Sequence, residues 1–191
     1  MVVKTRVTEY EDDSFAKYLR PTDLCNFDYG PVRRVGNGVT RGAKTEFQVI
    51  SSVHEFVSSL QTTHSSSLRQ AHKLLSSQQI NSNEKTVLFI SFARLAGVAC
   101  RVRAFMVAKE VFKPLVSPVK YVFLNQQLLL YPEVFYKKKW MLLSEALYSR
   151  KKPRFDLCPF DDARRRAKNL PVRKQDLVEE LGVFWHPDTV K

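Results

Sequence analysis

The sequence lacks any long hydrophobic run. A helix that spans a membrane needs about 20 consecutive apolar residues, whereas the longest apolar stretches here, such as residues 87–92 and 128–131, are far shorter. The first six residues, Met-Val-Val-Lys-Thr-Arg, contain no apolar core of the kind found in secretory signals. We therefore expect no membrane association, and an intracellular, cytoplasmic location.

Cysteine is scarce as well. The chain has three cysteines, Cys25, Cys100 and Cys158, and no two of them form a Cys-x-x-Cys pair. An odd number without a regular framework argues against a disulfide-stapled secreted protein. We expect each cysteine to be a small buried hydrophobe rather than a reactive thiol.

Motifs for inorganic or phosphate-bearing ligands are also missing. His, Cys, Asp and Glu do not cluster at the spacing of metal ligands. The segment Gly36-Asn37-Gly38 is typical of a turn, and no glycine-rich phosphate loop precedes a predicted helix. The sequence therefore predicts no metal and no cofactor.

Acidic residues are too few to balance the basic ones. The chain has 31 Lys and Arg against 19 Asp and Glu, a net charge of +12. The first 59 residues carry eight basic and eight acidic side chains, so the entire excess falls after residue 59. Such a surface attracts polyanions, namely RNA, DNA, acidic lipid headgroups or an acidic protein. The alternative is that the charge serves solubility alone.

Apolar residues are sufficient for a folded domain. The chain has 191 residues, of which 44% are hydrophobic and 12% aromatic. This length suits one domain with its own core.

The strongest helical pattern covers residues 84–96, which are apolar on nearly every side. Such a helix belongs at the centre of a fold. Asn81 or Ser82 can cap it, Asn81 and Glu84 have the spacing of a capping box, and Gly97 can end it. Further helices are predicted at residues 44–60, where Phe47 belongs to the apolar face, and at residues 68–75.

Strand patterns follow the central helix. Alternation of apolar and charged residues predicts a strand at 98–107, and further strands are predicted at 120–124, 127–136 and 140–143. Residues up to about 42 are rich in turn signals, and short helices are predicted at 161–168 and 173–181. Helices followed by an antiparallel sheet indicate an α+β fold.

Several segments together resemble the transglutaminase-like branch of the papain-type thiol hydrolases. Residues 71–75, 80–88 and 93–101 are similar to the family's core helix and its Ala-Gly-Ile-Pro-Ala-Arg ending. Residues 131–136 and 139–143 resemble its His-x-Tyr-x-Glu-Val and Gly-x-Trp strands, and residues 18–22 resemble an opening of some bacterial members. The resemblance implies a transglutaminase-like, papain-like core, with a central buried helix packed on an antiparallel sheet.

The resemblance also implies a catalytic triad, and all three of its positions are substituted. The family uses a cysteine thiolate at a helix N-terminus, a histidine base and a carboxylate that orients the histidine. Matched to this sequence, these positions fall on Ser82, Leu129 and Ser144. Because leucine cannot accept a proton, we predict that the chain is not a hydrolase, and that Ser82 caps the helix while Leu129 and Ser144 fill the former cleft.

Basic clusters are the remaining candidates for a binding site. The first is predicted at a hairpin tip and two more follow within 32 residues; the candidates are Lys137, Lys138, Lys139, Arg150, Lys151, Lys152, Arg154, Arg164, Arg165, Arg166 and Lys168. Phe155, Phe160 and Trp185 are nearby aromatic residues that could stack on bases. A solvated charged surface without a partner is the alternative.

The sequence therefore predicts a polar N-terminal arm at residues 1–16, a transglutaminase-like domain at 17–148 and a basic C-terminal extension at 149–191. We expect a catalytically inactive protein that binds or scaffolds RNA, a ribonucleoprotein or another polyanion. Two alternatives stay open. One is a divergent thiol or serine hydrolase, and the other is a pseudoenzyme subunit that binds only protein in a larger complex.

Overall fold

The helices and strands of the computed structural model lie within residues 13–63, 68–107, 127–148, 155–156, 171–172 and 177–183, which are the residues that the structure describes. In chain order the elements are α1 Asp13–Ala16, α2 Gly30–Val39, α3 Glu46–Ser59, α4 Ala71–Leu74, α5 Ser82–Leu95, β1 Cys100–Val107, β2 Gln127–Tyr136, β3 Lys139–Leu142, α6 Leu143–Tyr148, β4 Phe155–Asp156, β5 Pro171–Val172 and β6 Leu177–Val183.

Helix α5 lies at the centre of these elements. Every residue from Glu84 to Arg94 is buried, and the helix packs against α2, α3, α4, β1 and β2. The Asn81 side chain accepts a hydrogen bond from the Glu84 amide at 2.9 Å, and the Glu84 carboxylate accepts one from the Asn81 amide at 3.0 Å. The predicted capping box and the predicted central helix are both confirmed, with Asn81 as the cap.

The sheet that covers α5 has the strand order β3-β2-β1-β6, and all three pairings are antiparallel. In β1, Cys100, Val102 and Ala104 are buried, while Arg101 and Arg103 point to the opposite face, as alternation in a strand requires. The prediction of an α+β fold, with a buried helix packed on an antiparallel sheet, is confirmed.

Strand β6 replaces part of a helix that the sequence predicts. Residues 173–181 were expected to be helical, but Leu177–Val183 pairs with β1 along Arg103 to Val107. The free edge of β1 offers backbone donors and acceptors that a strand can satisfy, and such tertiary pairing outweighs local helical propensity. The predicted strand at 120–124 and helix at 161–168 lie outside the described residues.

Helix α2 stands where turns were predicted. Pro31 and the Gly36-Asn37-Gly38 segment read as turn signals, yet both lie within Gly30–Val39. Proline at the start of a helix is favourable, because its amide hydrogen would have no partner there. Gly36 permits close contact with α5, since an added Cβ would lie 2.7 Å from a Leu95 methyl carbon and 2.9 Å from the Phe92 ring.

Helix α3 confirms the helix predicted at 44–60. Thr45 caps it by accepting a hydrogen bond from the Gln48 amide at 3.2 Å. Its buried face consists of Val49, Ile50, Val53, His54 and Val57. Helix α4 is shorter than the predicted helix at 68–75, and Arg69, which precedes it, forms an ion pair with Glu84 at 2.6 Å.

The two interior glycines of α2 provide a matched test of this packing. Gly36→Ala should lower the free energy of unfolding by about 1–3 kcal/mol, because the methyl group overpacks the contact with Phe92. Gly38→Ala, which meets nothing within 4 Å, should raise it by about 0.5–1 kcal/mol through helix propensity. Urea denaturation of both variants measures the difference; equal effects would contradict the close approach of α2 to α5.

Candidate functional site

The N-terminal turn of α5 is where the resemblance places a nucleophile. Ser82 is its first residue and is partly exposed. Asn81, not Ser82, provides the capping oxygen, so the predicted capping role of Ser82 is wrong, because the cap must lie one residue before the helix begins. A side chain at position 82 does stand at the positive end of the helix dipole.

Strand β2 meets this turn on both sides of Leu129. The Asn83 side chain donates to the Leu128 carbonyl and accepts from the Leu130 amide, both at 2.9 Å. The Thr86 hydroxyl donates to the Leu130 carbonyl at 2.9 Å. The Asn83 side chain thus satisfies the backbone groups of Leu128 and Leu130, which lie on an edge of β2 that β3 does not cover. The fold therefore brings the segments that carry Ser82 and Leu129 together.

Leu129 itself is an apolar packing residue. Its side chain is buried, and its backbone lies opposite Phe105 in β1. An aliphatic side chain at this position has no lone pair with which to accept a proton. Leu129 therefore cannot act as a base, and its correspondence to the family's base position is implied by the resemblance alone.

Ser144 lies in α6, a helix that the sequence analysis does not predict. It is buried, and α6 packs against β2, β3 and α3. The neighbouring carboxylate of Glu145 accepts a hydrogen bond from the Leu142 amide at 2.9 Å, which caps the start of this helix. The carboxylate nearest to the third triad position in sequence is thus bound to the backbone.

The two described histidines are held by local contacts. His54 is buried in α3, with its Nε2 3.4 Å from the Ser58 hydroxyl. His72 has its Nδ1 against the Asn26 side-chain amide nitrogen, and its backbone amide donates to the Asn26 side-chain oxygen Oδ1 at 3.2 Å. In the neutral ring this arrangement places the proton on Nε2. His64 and His186 lie outside the described residues.

The two described thiols share a buried environment with Arg94. Cys25 and Cys100 are fully buried. Burial raises the pKa of Cys25, and the positive charge of Arg94 opposes that shift. Burial likewise raises the pKa of Cys100 to about 12. A thiolate forms easily only when its pKa is lowered, so both cysteines are inert at neutral pH. Cys158 lies outside the described residues.

Arg94 owes its burial to backbone acceptors. Its guanidinium donates two hydrogen bonds to the Cys100 carbonyl, at 3.0 and 2.7 Å, and one to the Arg20 carbonyl at 2.9 Å. Burial lowers its pKa. The arginine therefore ties the end of α5 to the start of β1 and to the segment before α2, which is a structural role.

The predicted hairpin of lysines exists and is strained. Lys137 and Lys138 form a two-residue turn between β2 and β3, with φ angles of 52° and 62°. Both angles are left-handed, as in a type I′ turn, which usually takes Asn-Gly. Lys139 begins β3, so the turn is one residue shorter than predicted, and all three lysines are exposed.

The other basic candidates lie outside the part of the chain that the structure describes. These are Arg150, Lys151, Lys152, Arg154, Arg164, Arg165, Arg166 and Lys168, and they stay predictions. The same holds for the side chains of Phe155, Phe160 and Trp185 as stacking surfaces, and for the arm and extension boundaries.

Aromatic residues near the hairpin form a group that the sequence analysis missed. The Trp140 ring stacks with that of Phe15 at 5.9 Å, and Tyr18 and Phe135 approach it edge-on. The Arg101 guanidinium lies 4.3 Å from the centre of the Trp140 ring. These contacts anchor β3 and present the hairpin tip to solvent. Aromatic residues one or two positions from the lysines were the available signal.

A buried acid joins this group to the sheet. Glu133 accepts from Arg101 at 2.6 Å and from Arg103 at 3.0 Å, and its side chain is only 4% exposed. Arg101 and Glu133 belong to the segments that carry the resemblance, and they face each other across β1 and β2. The motif residues thus have a structural use in this fold.

Neither the family models nor the curated proteins include a match to this chain. Among solved structures, the chain is similar to a candidate cysteine protease of Cytophaga hutchinsonii, with a TM-score of 0.55 and 11% identity over 72% of this chain and 43% of that one. The chain therefore spans less than half of that protein's length. The similarity is one of fold, and it is consistent with a papain-like core.

None of the described helices is long and apolar enough to cross a membrane.

The burial of both thiols predicts their chemical behaviour. In the native protein at neutral pH, iodoacetamide should leave Cys25 and Cys100 unmodified, because neither is accessible or readily ionised. In denaturant both should react completely. Peptide mapping by mass spectrometry resolves the two sites, and rapid native labelling of either one would overturn the assignment of inert thiols.

Proposed function

We propose that the chain is a transglutaminase-like member of the papain-like fold that acts by binding a polyanion and not by acyl transfer. The order of the motif segments, the central helix and the antiparallel sheet support the family assignment. Ser82 and Leu129 at the positions of nucleophile and base support the loss of catalysis.

The chemistry explains why these substitutions matter. Acyl transfer by a thiol hydrolase needs an ionisable nucleophile and a base that takes its proton. A hydroxyl at position 82 has a far higher pKa than a thiol, and Leu129 offers no acceptor. Loss of triad members commonly leaves a rate lower by about 10⁴- to 10⁶-fold.

The observation that carries the binding proposal is the strained lysine turn. A left-handed conformation costs a non-glycine residue about 1–2 kcal/mol, and two adjacent lysines adopt it here. Backbone strain of this kind persists mostly where it serves a function. The turn holds Lys137, Lys138 and Lys139 close together in solvent, which suits contact with the closely spaced charges of RNA or another polyanion.

Replacement of the turn separates stability from binding. Lys137→Asn combined with Lys138→Gly should raise the free energy of unfolding by about 1 kcal/mol, because Asn-Gly suits the type I′ turn. The same variant should bind heparin more weakly and elute from it at lower salt. Its binding to an oligonucleotide should depend less on salt, by about one unit of slope in log Kd against log salt per lysine removed.

A matched control removes two positive charges elsewhere. Arg33 and Arg34 are exposed on α2, and the double variant Arg33→Gln with Arg34→Gln should elute close to the unmodified protein. If both double variants lose retention equally, net charge alone explains the binding. If neither loses it, the hairpin is not the site. Either result would contradict the proposed binding at the lysine turn.

A further inference from the structure

An exposed aromatic surface lies beside the lysine turn. Phe47, in the first turn of α3, is 41% exposed, and the large exposed aromatic side chains of the described residues are Phe47 and Tyr29. The Phe47 ring lies 6.3 Å from that of Tyr136, at an angle of 37°. The sequence assigns Phe47 to the apolar face of this helix, and the structure places it at the exposed margin of that face.

The ring of Tyr136 connects Phe47 to the basic turn. Tyr136 is the last residue of β2 and pairs with Lys139 across the hairpin. The ammonium group of Lys137 lies 5.3 Å from the centre of its ring. The Phe47 ring, the Tyr136 ring and the Lys137 ammonium group therefore lie next to one another, in this order, where α3 meets the hairpin.

We infer that this surface, formed by Phe47, Tyr136 and Lys137, binds single-stranded nucleic acid, with a base on the aromatic rings and the backbone phosphates on the lysines. The inference rests on the proposed polyanion function and names its ligand. A nucleotide joins a flat base to a charged phosphate through one sugar, so adjoining ring and ammonium groups match its two ends. Stacking accepts every base, because each has a π-face.

Other polyanions fit this surface less well. Heparin carries sulfate charges but no aromatic face, so it gains nothing from Phe47. Duplex nucleic acid keeps its bases within the stack, so its phosphates alone reach the lysines. To hold a base between them, two rings must be parallel and about twice the 3.4 Å spacing of stacked bases apart. The rings of Phe47 and Tyr136 are tilted, and their centres are closer than that. They can therefore offer two adjoining stacking surfaces but cannot enclose a base.

One acidic group lies within the same turn of α3. Glu46 precedes Phe47 and is partly buried, and burial raises the pKa of its carboxyl. Its negative charge opposes phosphate, so the phosphates should lie on the hairpin side of the rings, by Lys137 and Lys138, with the base alone over Phe47.

The test compares three probes on the full chain: a labelled oligouridylate, its duplex with oligoadenylate, and heparin. Phe47→Leu keeps an apolar side chain but removes the π-face. It should weaken oligouridylate binding by about 5- to 150-fold, as expected for the loss of one stacked base, and leave heparin and duplex binding unchanged. Phe47→Trp should restore binding and report it through quenching of the new indole fluorescence.

The control is Tyr29→Leu, which removes an even more exposed ring, 52% exposed, from a different part of the chain, where it contacts His72. This variant should bind all three probes like the unmodified protein. If Phe47→Leu binds oligouridylate normally while heparin binding still depends on the lysine turn, the inference fails and the proposed function stands. If the unmodified protein retains neither heparin nor oligouridylate at low salt, the proposed function fails first.

Discussion

The burial of charged side chains near both ends of helix α5, among them Glu84 and Arg94, is the constraint on which the rest of the structure depends. Glu84 has no exposed side-chain surface and Arg94 is almost fully buried, and an uncompensated buried charge costs several kcal/mol. Glu84 is satisfied by the Asn81 amide and by Arg69, and Arg94 by the carbonyls of Cys100 and Arg20. Arg20, Arg69 and Asn81 lie in three different connecting segments and Cys100 begins β1, so burial of the helix fixes the course of the chain around it.

The same contacts occupy the first turn of α5, where the family resemblance implies a nucleophile. The first turn of α5 uses its positive end to hold the Glu84 carboxylate, and the Asn83 side chain fills the gap to β2. The polar groups of this turn are therefore used to cap the helix and to satisfy the edge of β2. The turn supplies no charge-stabilised nucleophile, because a hydroxyl at Ser82 is not ionised by a dipole of this strength. The contacts of this turn therefore serve the stability of the core.

Sequence reasoning succeeded where local signals and tertiary structure agree. The apolar pattern of α5, the Asn81 and Glu84 spacing and the alternation in β1 each express a requirement that the fold also imposes. It failed where a long-range contact decided the outcome. Gly36 read as a turn residue because nothing in the sequence reveals that Phe92 and Leu95 approach it, and β6 read as a helix because the free edge of β1 is invisible from the sequence. The exposure of Phe47 depends likewise on where the packed face of α3 ends.

The strain in the lysine turn must be offset by contacts elsewhere in the hairpin. Two left-handed lysines cost about 2–4 kcal/mol together, and a domain is stable by only about 5–15 kcal/mol. Trp140, two residues beyond the turn, touches Phe15, Tyr18 and Phe135, and aromatic pairs contribute about 0.5–1.5 kcal/mol each beyond their buried area. Together with the Arg101 cation over the Trp140 ring, these contacts contribute a free energy similar in size to the cost of the strain. Because the cluster holds the base of the hairpin, the lysines are presented on a rigid support, and in the proposed binding this lowers the conformational entropy lost on association.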